Sequence, residues 1–389
     1  MFIYNLVIHR QPRFLYRIIS SPINRISAKA QPIHQRIMSS TPSGQHLAAI
    51  LHSKGSRLEV TYRPTPTPGP KELLIEVKSI ALNPIDWYQR EAGFAIASYP
   101  AIPGSDIAGT VLSAGSSVSS DAPGPGTRVA AFAPCFFMKG APDYGAFQTR
   151  VLVPAANAVP LPQTMSFNEA SLLPMAVATT WAGWFGIGIP RDAAYTAADK
   201  KGMLVWGGAS SIGSAAVQVA KLMGFHVYVT ASEKHHEYLK GLGASKVFDY
   251  KGEGVAESIV KAAKEHGVEI QTGFDAVGQL QSCLDILQEF KGDGVAKLAS
   301  AIPLSEDSPQ TEGVEVKFVA APNDEEERTE SFHFIFGVWL KEKLATGEFV
   351  PSPKIRVVEG GLEAANKGLD EWKKGVSGGK LVLEVGMGL

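Results

Sequence analysis

The chain has 389 residues, 45% of them hydrophobic, which is enough apolar content for two cores rather than one. Its 37 Lys and Arg nearly cancel its 38 Asp and Glu, leaving a net charge of −1; this excludes a general electrostatic attraction to nucleic acid or membrane, and any anion specificity must be local. The 2 cysteines, Cys135 and Cys283, form neither a Cys-x-x-Cys motif nor a disulfide framework and read as free thiols of a reducing compartment.

Residues 1–37 carry Arg10, Arg13, Arg17, Arg25, Lys29 and Arg36 and no acid; the first acid is Glu59. This composition fits an organellar transit peptide, or an upstream extension ahead of a second start at Met38. Residues 1–44 are therefore set apart from the fold, and the compartment expected is mitochondrial or cytoplasmic. From about 47 to 153, short β-type runs at 73–77, 107–111, 128–132 and 149–153 are punctuated by Pro and Gly turns, the pattern of a small β-rich domain. An uncharged stretch, 170–190, has the length of a membrane span, but Pro174, Gly183, Gly186, Gly188 and Pro190 with Thr179 and Thr180 predict a buried helix between domains. Strands and helices then alternate: strand 203–206, helix 213–223, strand 225–230, a helix through Leu242, and strand 246–249. That alternation builds a doubly wound parallel sheet with helices on both faces. Strand-like ends around a helix near 362–374 are expected to close back on the first domain. The expected limits are 45–170 with 330–389 for the β-rich domain and 171–329 for the doubly wound one.

The segment 204–213 is a buried strand that ends in a glycine-rich turn and opens a helix, the context in which such a turn binds a dinucleotide. Gly207, Gly208, Ala209, Ser210, Ser211, Ile212 and Gly213 are the candidate phosphate-binding residues, through helix-terminal amides. Gly208 is expected to permit the tight turn, Ser210 to let the backbone approach a pyrophosphate, and Gly213 to let the helix pack on the strand. The next strand ends in Val229-Thr230-Ala231-Ser232 and lacks the acid that would hold a ribose 2′-hydroxyl. Ser232 can donate to a phosphate, and Lys234 and His235 supply donors or charge, so NADPH is expected rather than NADH. Glu233 is placed past the strand, facing solvent. His235, His236 and Glu237 are sequence neighbours and cannot face one ion from a helix, so they read as a surface helix start.

With these residues in place, the chain resembles the zinc-free quinone reductase and fungal enoyl reductase branches of the medium-chain dehydrogenase/reductase superfamily over about residues 46–386. Gln218 and Lys221 resemble the family's Gln-x-x-Lys, and Leu242-Gly243-Ala244 its next helix end. Asn83-Pro84-Ile85-Asp86-Trp87-Tyr88-Gln89-Arg90 is similar to the quinone reductase signature Asn-x-Ile-Asp-x-Tyr-x-Arg, and 103–111 to the strand entry Pro-Gly-x-Asp-x-Ala-Gly. The resemblance implies a Rossmann domain joined to a GroES-like catalytic domain, and it implies adenosine contacts from Ser232, Lys234, His235 and Tyr250 and cofactor contacts from Thr179 and Asp86. Where zinc alcohol dehydrogenases carry Cys and His-Glu, this chain has Asn83 or Pro84 and Ser105-Asp106, and 2 cysteines cannot make a four-cysteine site, so no zinc is expected. Tyr88 stands where many fungal enoyl reductases carry a lysine.

Without a Lewis acid, alcohol oxidation lacks a means of acidifying the hydroxyl, whereas conjugate reduction needs hydride at one carbon and stabilisation of an enolate. The expected chemistry is hydride transfer from NADPH to an enone, a quinone or an enoyl thioester. Tyr88 is the candidate donor to the carbonyl oxygen, or else a cleft-lining aromatic. Asn83 is the second catalytic candidate, although it and Asp86, both common turn formers, suit bracing the loop and the cofactor better than reacting. Phe136, Phe137, Trp181, Phe336 and Trp339 are candidate walls of an apolar cleft or core residues, and Tyr144 is a weak site candidate in a structural turn. Three readings remain open at this point: a stand-alone reductase, a trans-acting enoyl reductase of a polyketide pathway, and an NADPH-binding protein without turnover. The resemblance allows a monomer or a homodimer.

Overall fold

The computed structural model describes residues 42–385; the basic segment and Met38 lie outside them. The chain begins with β1 (Gln45–Ile50), β2 (Glu59–Pro64), β3 (Glu72–Ala81), α1 (Pro84–Ala92), β4 (Asp106–Ala114), β5 (Arg128–Phe132), β6 (Arg150–Pro154) and β7 (Ala158–Pro160). It then passes through α2 (Phe167–Ala170) and α3 (Leu173–Gly186) into an alternating run. That run is β8 (Lys201–Trp206), α4 (Ser211–Leu222), β9 (His226–Thr230), α5 (His236–Gly241), β10 (Lys246–Phe248), α6 (Val255–Glu265), β11 (Glu269–Asp275), α7 (Leu280–Gln288), β12 (Ala296–Ser300) and β13 (Val314–Phe318). Two helices, α8 (Glu325–Phe332) and α9 (Lys341–Thr346), flank a π-helical turn, and β14 (Lys354–Val357), α10 (Ala365–Lys373) and β15 (Gly379–Glu384) complete the chain.

The alternating run forms a parallel sheet in the order β10-β9-β8-β11-β12-β13. Strand order reverses between β8 and β11, and the crevice for a ligand opens beyond the carboxyl ends of those two strands. β8 is buried from Gly202 to Trp206, which is why its sequence reads as a continuous apolar run. The first and last parts of the chain share a second sheet, β14-β15-β3-β4-β5-β7 with β6 on β3, in which β15 runs antiparallel to β3. The C-terminal part thus closes on the first domain through β15.

Helix α3 occupies most of the uncharged stretch. Pro174 sits in its first turn, where a missing N–H costs nothing, and Trp181, Trp184 and Val177 are fully buried. No helix of the described residues is long and apolar enough to cross a membrane. The core around α3 joins the two sheets, because Ala108, Ala130, Phe132 and Val159 of the β-rich sheet pack with α3, α4 and the helical segment of Phe332, Phe336 and Leu340. The sequence places a domain division at 330, just before that segment. Its residues pack in the shared core, and the chain rejoins the β-rich sheet at β14.

Candidate active site

The glycine turn is built by hydrogen bonds between neighbouring strands. Gly207 has φ +83°, so the left-handed conformation falls there and not at Gly208 as the sequence suggests. Gly208 serves a different need, since a Cβ on it would lie 2.2 Å from Val229 Cγ1. The Gly207 and Gly208 amides donate to the side-chain and main-chain oxygens of Thr230, each at 3.0 Å, fixing the turn to the end of β9. Ser210 caps α4: its hydroxyl accepts from the Gly213 amide at 3.0 Å and donates to the Gly207 carbonyl at 2.9 Å. Its side chain is thus spent on the turn itself rather than left for a phosphate. A Cβ on Gly213 would meet the Gly207 carbonyl at 2.3 Å, in accord with the expected close packing.

Ser211 Oγ, in the first turn of α4, is buried and has no partner. Together with helix-terminal amides that lack intrahelical acceptors, this orphaned hydroxyl fits a dinucleotide phosphate. On the opposite wall Asp275, fully buried at the end of β11, accepts from the Val277 and Gly278 amides at 3.1 and 2.9 Å and leaves Oδ2 unpaired. Val277 packs on Gly207, so Asp275 holds the loop that faces the turn. Sequence reasoning missed Asp275; its signal was a strand end, Phe274-Asp275-Ala276-Val277-Gly278, at the same level as the glycine turn. Beyond β9, Ser232 is half-buried, Glu233 and Lys234 are exposed, and Tyr250 stands just past β10, the strand beside β9. Gln218 exchanges two hydrogen bonds with the Val350 main chain, at 2.9 and 3.0 Å, and Lys221 packs its stem on Gly243; both motif residues hold the domain together.

A knot of buried polar groups lies under the first turn of α1. Asn83 donates from Nδ2 to Asp106 Oδ2 at 2.9 Å and accepts at Oδ1 from Lys380 at 2.5 Å, while Lys380 lies 3.3 Å from Asp106 Oδ2. Asp106 Oδ1 accepts from the Met175 amide at 2.6 Å, tying β4 to the start of α3. Burial pushes the Asp106 carboxyl pKa up, and Lys380, Asn83 and the Met175 amide oppose that shift. Asp86 is fully buried; its Oδ2 accepts from the Asn83 amide at 2.8 Å and its Oδ1 has no partner. Burial raises its pKa to about 7, with the Asn83 hydrogen bond working against it. Asn83 is therefore engaged at both ends of its side chain, in a bracing position. Among the described residues no group of three or more His, Cys, Asp and Glu could hold a metal ion. Around the position where zinc relatives place ligands stand Asn83, Ser105 and Asp106, and Lys380 brings an ammonium.

Next to this knot a cleft of about 720 Å3 opens between the domains, lined by Ile85, Met175, Ala178 and Thr179 at its inner end. Thr179 faces the cleft, and its neighbour Thr180 bonds the Ala176 carbonyl at 2.9 Å and approaches the Ile212 carbonyl at 3.5 Å. Helix α3 thus lines the cleft through Thr179 and reaches the start of α4 through Thr180. Its walls are aromatic. Phe94, 51% exposed at the mouth, lies 5.9 Å from Phe136; Phe136 meets Phe137 edge-on at 5.2 Å; Phe137 lies 5.9 Å from Phe332, and Phe332 5.3 Å from Phe132, which is 4% exposed. Arg328 stacks over Phe137 at 4.6 Å and donates to the Pro322 and Asn323 carbonyls at 3.1 and 3.0 Å, which joins the loop after β13 to the opposite domain.

Of the five candidate aromatics, Phe136 and Phe137 line the cleft, whereas Trp181, Phe336 and Trp339 follow the core reading. Trp181 and Phe336 are fully buried in the core, and Trp339 packs edge-on against Trp181 and Phe349. Tyr144 donates to Glu72 at 2.9 Å, away from the cleft. Tyr88 is 40% exposed, one helical turn from Ile85, with its ring edge-on to Trp87 and Trp372; it stands outside the cleft lining. Both cysteines are free and buried, and burial pushes the Cys135 thiol up to about 12.

Residues 69–163 match the alcohol dehydrogenase GroES-like domain and residues 211–296 the zinc-binding dehydrogenase domain. The chain is 47% identical over 341 residues to the trans-enoyl reductase tndF of Aspergillus flavipes, covering 87% of this chain and 99% of that protein. This chain belongs to the medium-chain dehydrogenase/reductase superfamily. Within the superfamily it lies on the enoyl reductase side, being also 49% identical over 290 residues to the trans-enoyl reductase tazE of Aspergillus terreus, with 74% and 96% of the two chains covered. A quinone oxidoreductase of Pseudomonas syringae shares the fold at TM-score 0.67 and 23% identity over 87% of this chain and 99% of that one. A superfamily protein of Novosphingobium aromaticivorans does so at 0.72 and 22%, over 88% and 100%. This superfamily member is an oxidoreductase that uses a nicotinamide cofactor and acts on a small-molecule substrate.

Proposed function

We propose that the protein is a metal-independent, NADPH-dependent, trans-acting enoyl reductase that reduces an α,β-unsaturated acyl thioester built by a separate polyketide synthase. The observation that carries this reading is the aromatic cleft, lined from exposed Phe94 past Phe137 to Met175 and Thr179 on α3, the helix whose Thr180 reaches Ile212 after the glycine turn. Its volume is that of a site for an extended, drug-sized ligand, larger than a short enone or a small quinone needs. Two relatives named as trans-enoyl reductases, matched along nearly their whole lengths, favour the same substrate class.

NADPH is supported by Thr230 in place of an acid and by Ser232, Lys234 and His235 just beyond it. Metal independence is supported by the donor set, because an amide, a hydroxyl and a carboxylate already paired with Lys380 stand where ligands would be needed. When bound, NADPH supplies hydride to the substrate carbon β to the carbonyl. The chain's own part is to place that carbon. The glycine turn fixes the phosphates, Thr179 and Met175 border the reacting end, and the phenylalanines exclude water along the acyl chain. The carbonyl oxygen then carries negative charge as the α-carbon takes a proton; Tyr88, outside the cleft lining but one turn from Ile85, would donate to it only after rotating off Trp87 and Trp372 toward the cleft.

Stopped-flow oxidation of deuterated NADPH tests this reading. A polyenoyl pantetheine thioester should be reduced with label on the β-carbon, and faster than crotonyl thioester or a quinone; a quinone as the preferred acceptor would overturn it. Tyr88→Phe should lower turnover about tenfold with NADPH affinity intact. An unchanged rate would remove Tyr88 from the chemistry.

A further inference from the structure

The loop after β9 reaches across to the catalytic domain. His235 lies against Gly378, in the turn that enters β15: a Cβ on Gly378 would stand 2.1 Å from His235 Cε1, and His235 Nε2 lies 3.4 Å from Ser377 Oγ. The next residue, Gly379, is in register with Lys354 on β14, so the second domain brings an exposed lysine to the same corner. Burial, followed by the charges of Lys234, Lys354 and His236, holds the His235 pKa below the ordinary imidazole value. Every charge acting on that ring is therefore positive. The acid nearest in sequence on α5, Glu237, is paired with Lys240 at 2.7 Å, and among the described residues neither Lys234 nor Lys354 pairs with an acid. Lys234 and Lys354, brought to one corner from two domains and neither in a salt bridge among the described residues, repel one another, and a bound anion would relieve that repulsion.

We propose that Lys354 and the Ser377–Gly378 turn complete the site for the 2′-phosphate of NADPH, so that this phosphate is gripped from both domains. This rests on the NADPH reading above and adds a second domain to it. A phosphomonoester carries a charge of about −2 and three acceptor oxygens at neutral pH, enough to take donors from Ser232, Lys234 and His235 on one side and Lys354 and Ser377 on the other. NADH presents a hydroxyl at that place and brings no charge to the lysines. Choice of cofactor is then read by residues of both domains at the one corner where they already touch.

The test is titration of wild type and Lys354→Met with NADPH, NADH, adenosine 2′,5′-bisphosphate and 5′-AMP, with thermal melts to check folding. Methionine keeps an unbranched stem of similar length and removes the charge. The substitution should weaken NADPH and the bisphosphate about tenfold and leave NADH and 5′-AMP within about twofold. Gly378→Ala, which displaces the His235 ring, should give the same selective loss. An equal loss for all four ligands, or none, overturns the two-domain grip. Wild type binding NADH as tightly as NADPH overturns the cofactor reading instead, so the two failures are distinct.

Discussion

The dinucleotide crevice and the acyl cleft adjoin at α3 but are made of different material. The crevice is main chain: the amides of Gly207 and Gly208 bonded to Thr230, a capped helix start, and glycines where a Cβ would strike Val229 or the Gly207 carbonyl. The cleft is side chain: phenylalanines from the end of α1, the loop after β5, and α8, held by one arginine across the domain gap. A main-chain site binds the part of a ligand that never changes. A side-chain site is free to be reshaped for different acyl chains without disturbing it.

Substitutions on either side sharpen that contrast. Gly213→Ala puts a Cβ 2.3 Å from a main-chain oxygen that cannot move aside, so NADPH affinity should fall about 100-fold in a fluorescence titration. A loss below about threefold would show that the turn adapts, and the contrast would fail. The polar knot behind the cleft gives the next effect. The Asp86 carboxyl titrates at about 7 in the fold and at ~3.9 unfolded, so between these values the folded chain keeps a proton that the unfolded chain has lost. Stability must then fall as pH rises from about 4 to about 7 and level off above. Asp86→Asn should remove roughly 2 kcal/mol of that decline between about pH 5 and about pH 7, as read from denaturant melts. A slope identical to wild type would mean that Asp86 stays ionised throughout. Smallest is the cleft wall itself: Phe137→Ala should cut kcat/KM about tenfold for a long polyenoyl thioester and less than about twofold for crotonyl thioester, with NADPH affinity unchanged. Equal loss for both thioesters would assign Phe137 to folding rather than to substrate choice.

The same division explains what could be read in advance. The crevice was legible because its parts are consecutive: strand, turn and helix lie within 201–222, and Thr230 and Ser232 end the next strand. Even there the assignment of roles needed the fold, since Gly207 rather than Gly208 takes the positive φ and Ser210 is the helix cap. The aromatics divide between the two readings the sequence left open. Phe336 and Trp339 sit within a few residues of Phe332, yet of the three only Phe332 lines the cleft, because the π-helical turn at His333–Leu340 carries the following side chains into the shared core. No local pattern separates an aromatic that lines a cleft from one that fills a core.

Sequence by itself determined the doubly wound sheet, the β-rich partner domain, the glycine turn and the lack of an acid at the end of β9, because each is set by neighbours along the chain through periodicity, turn chemistry and helix capping. Tertiary structure alone decided which aromatics line the cleft, that Lys380 reaches back to Asp106 and to Asn83, 297 positions away, and that His235 packs on the turn beside which Lys354 pairs. Those contacts join segments far apart in the chain. Their geometry follows from how two sheets pack on one shared core, and packing leaves no mark in the order of residues.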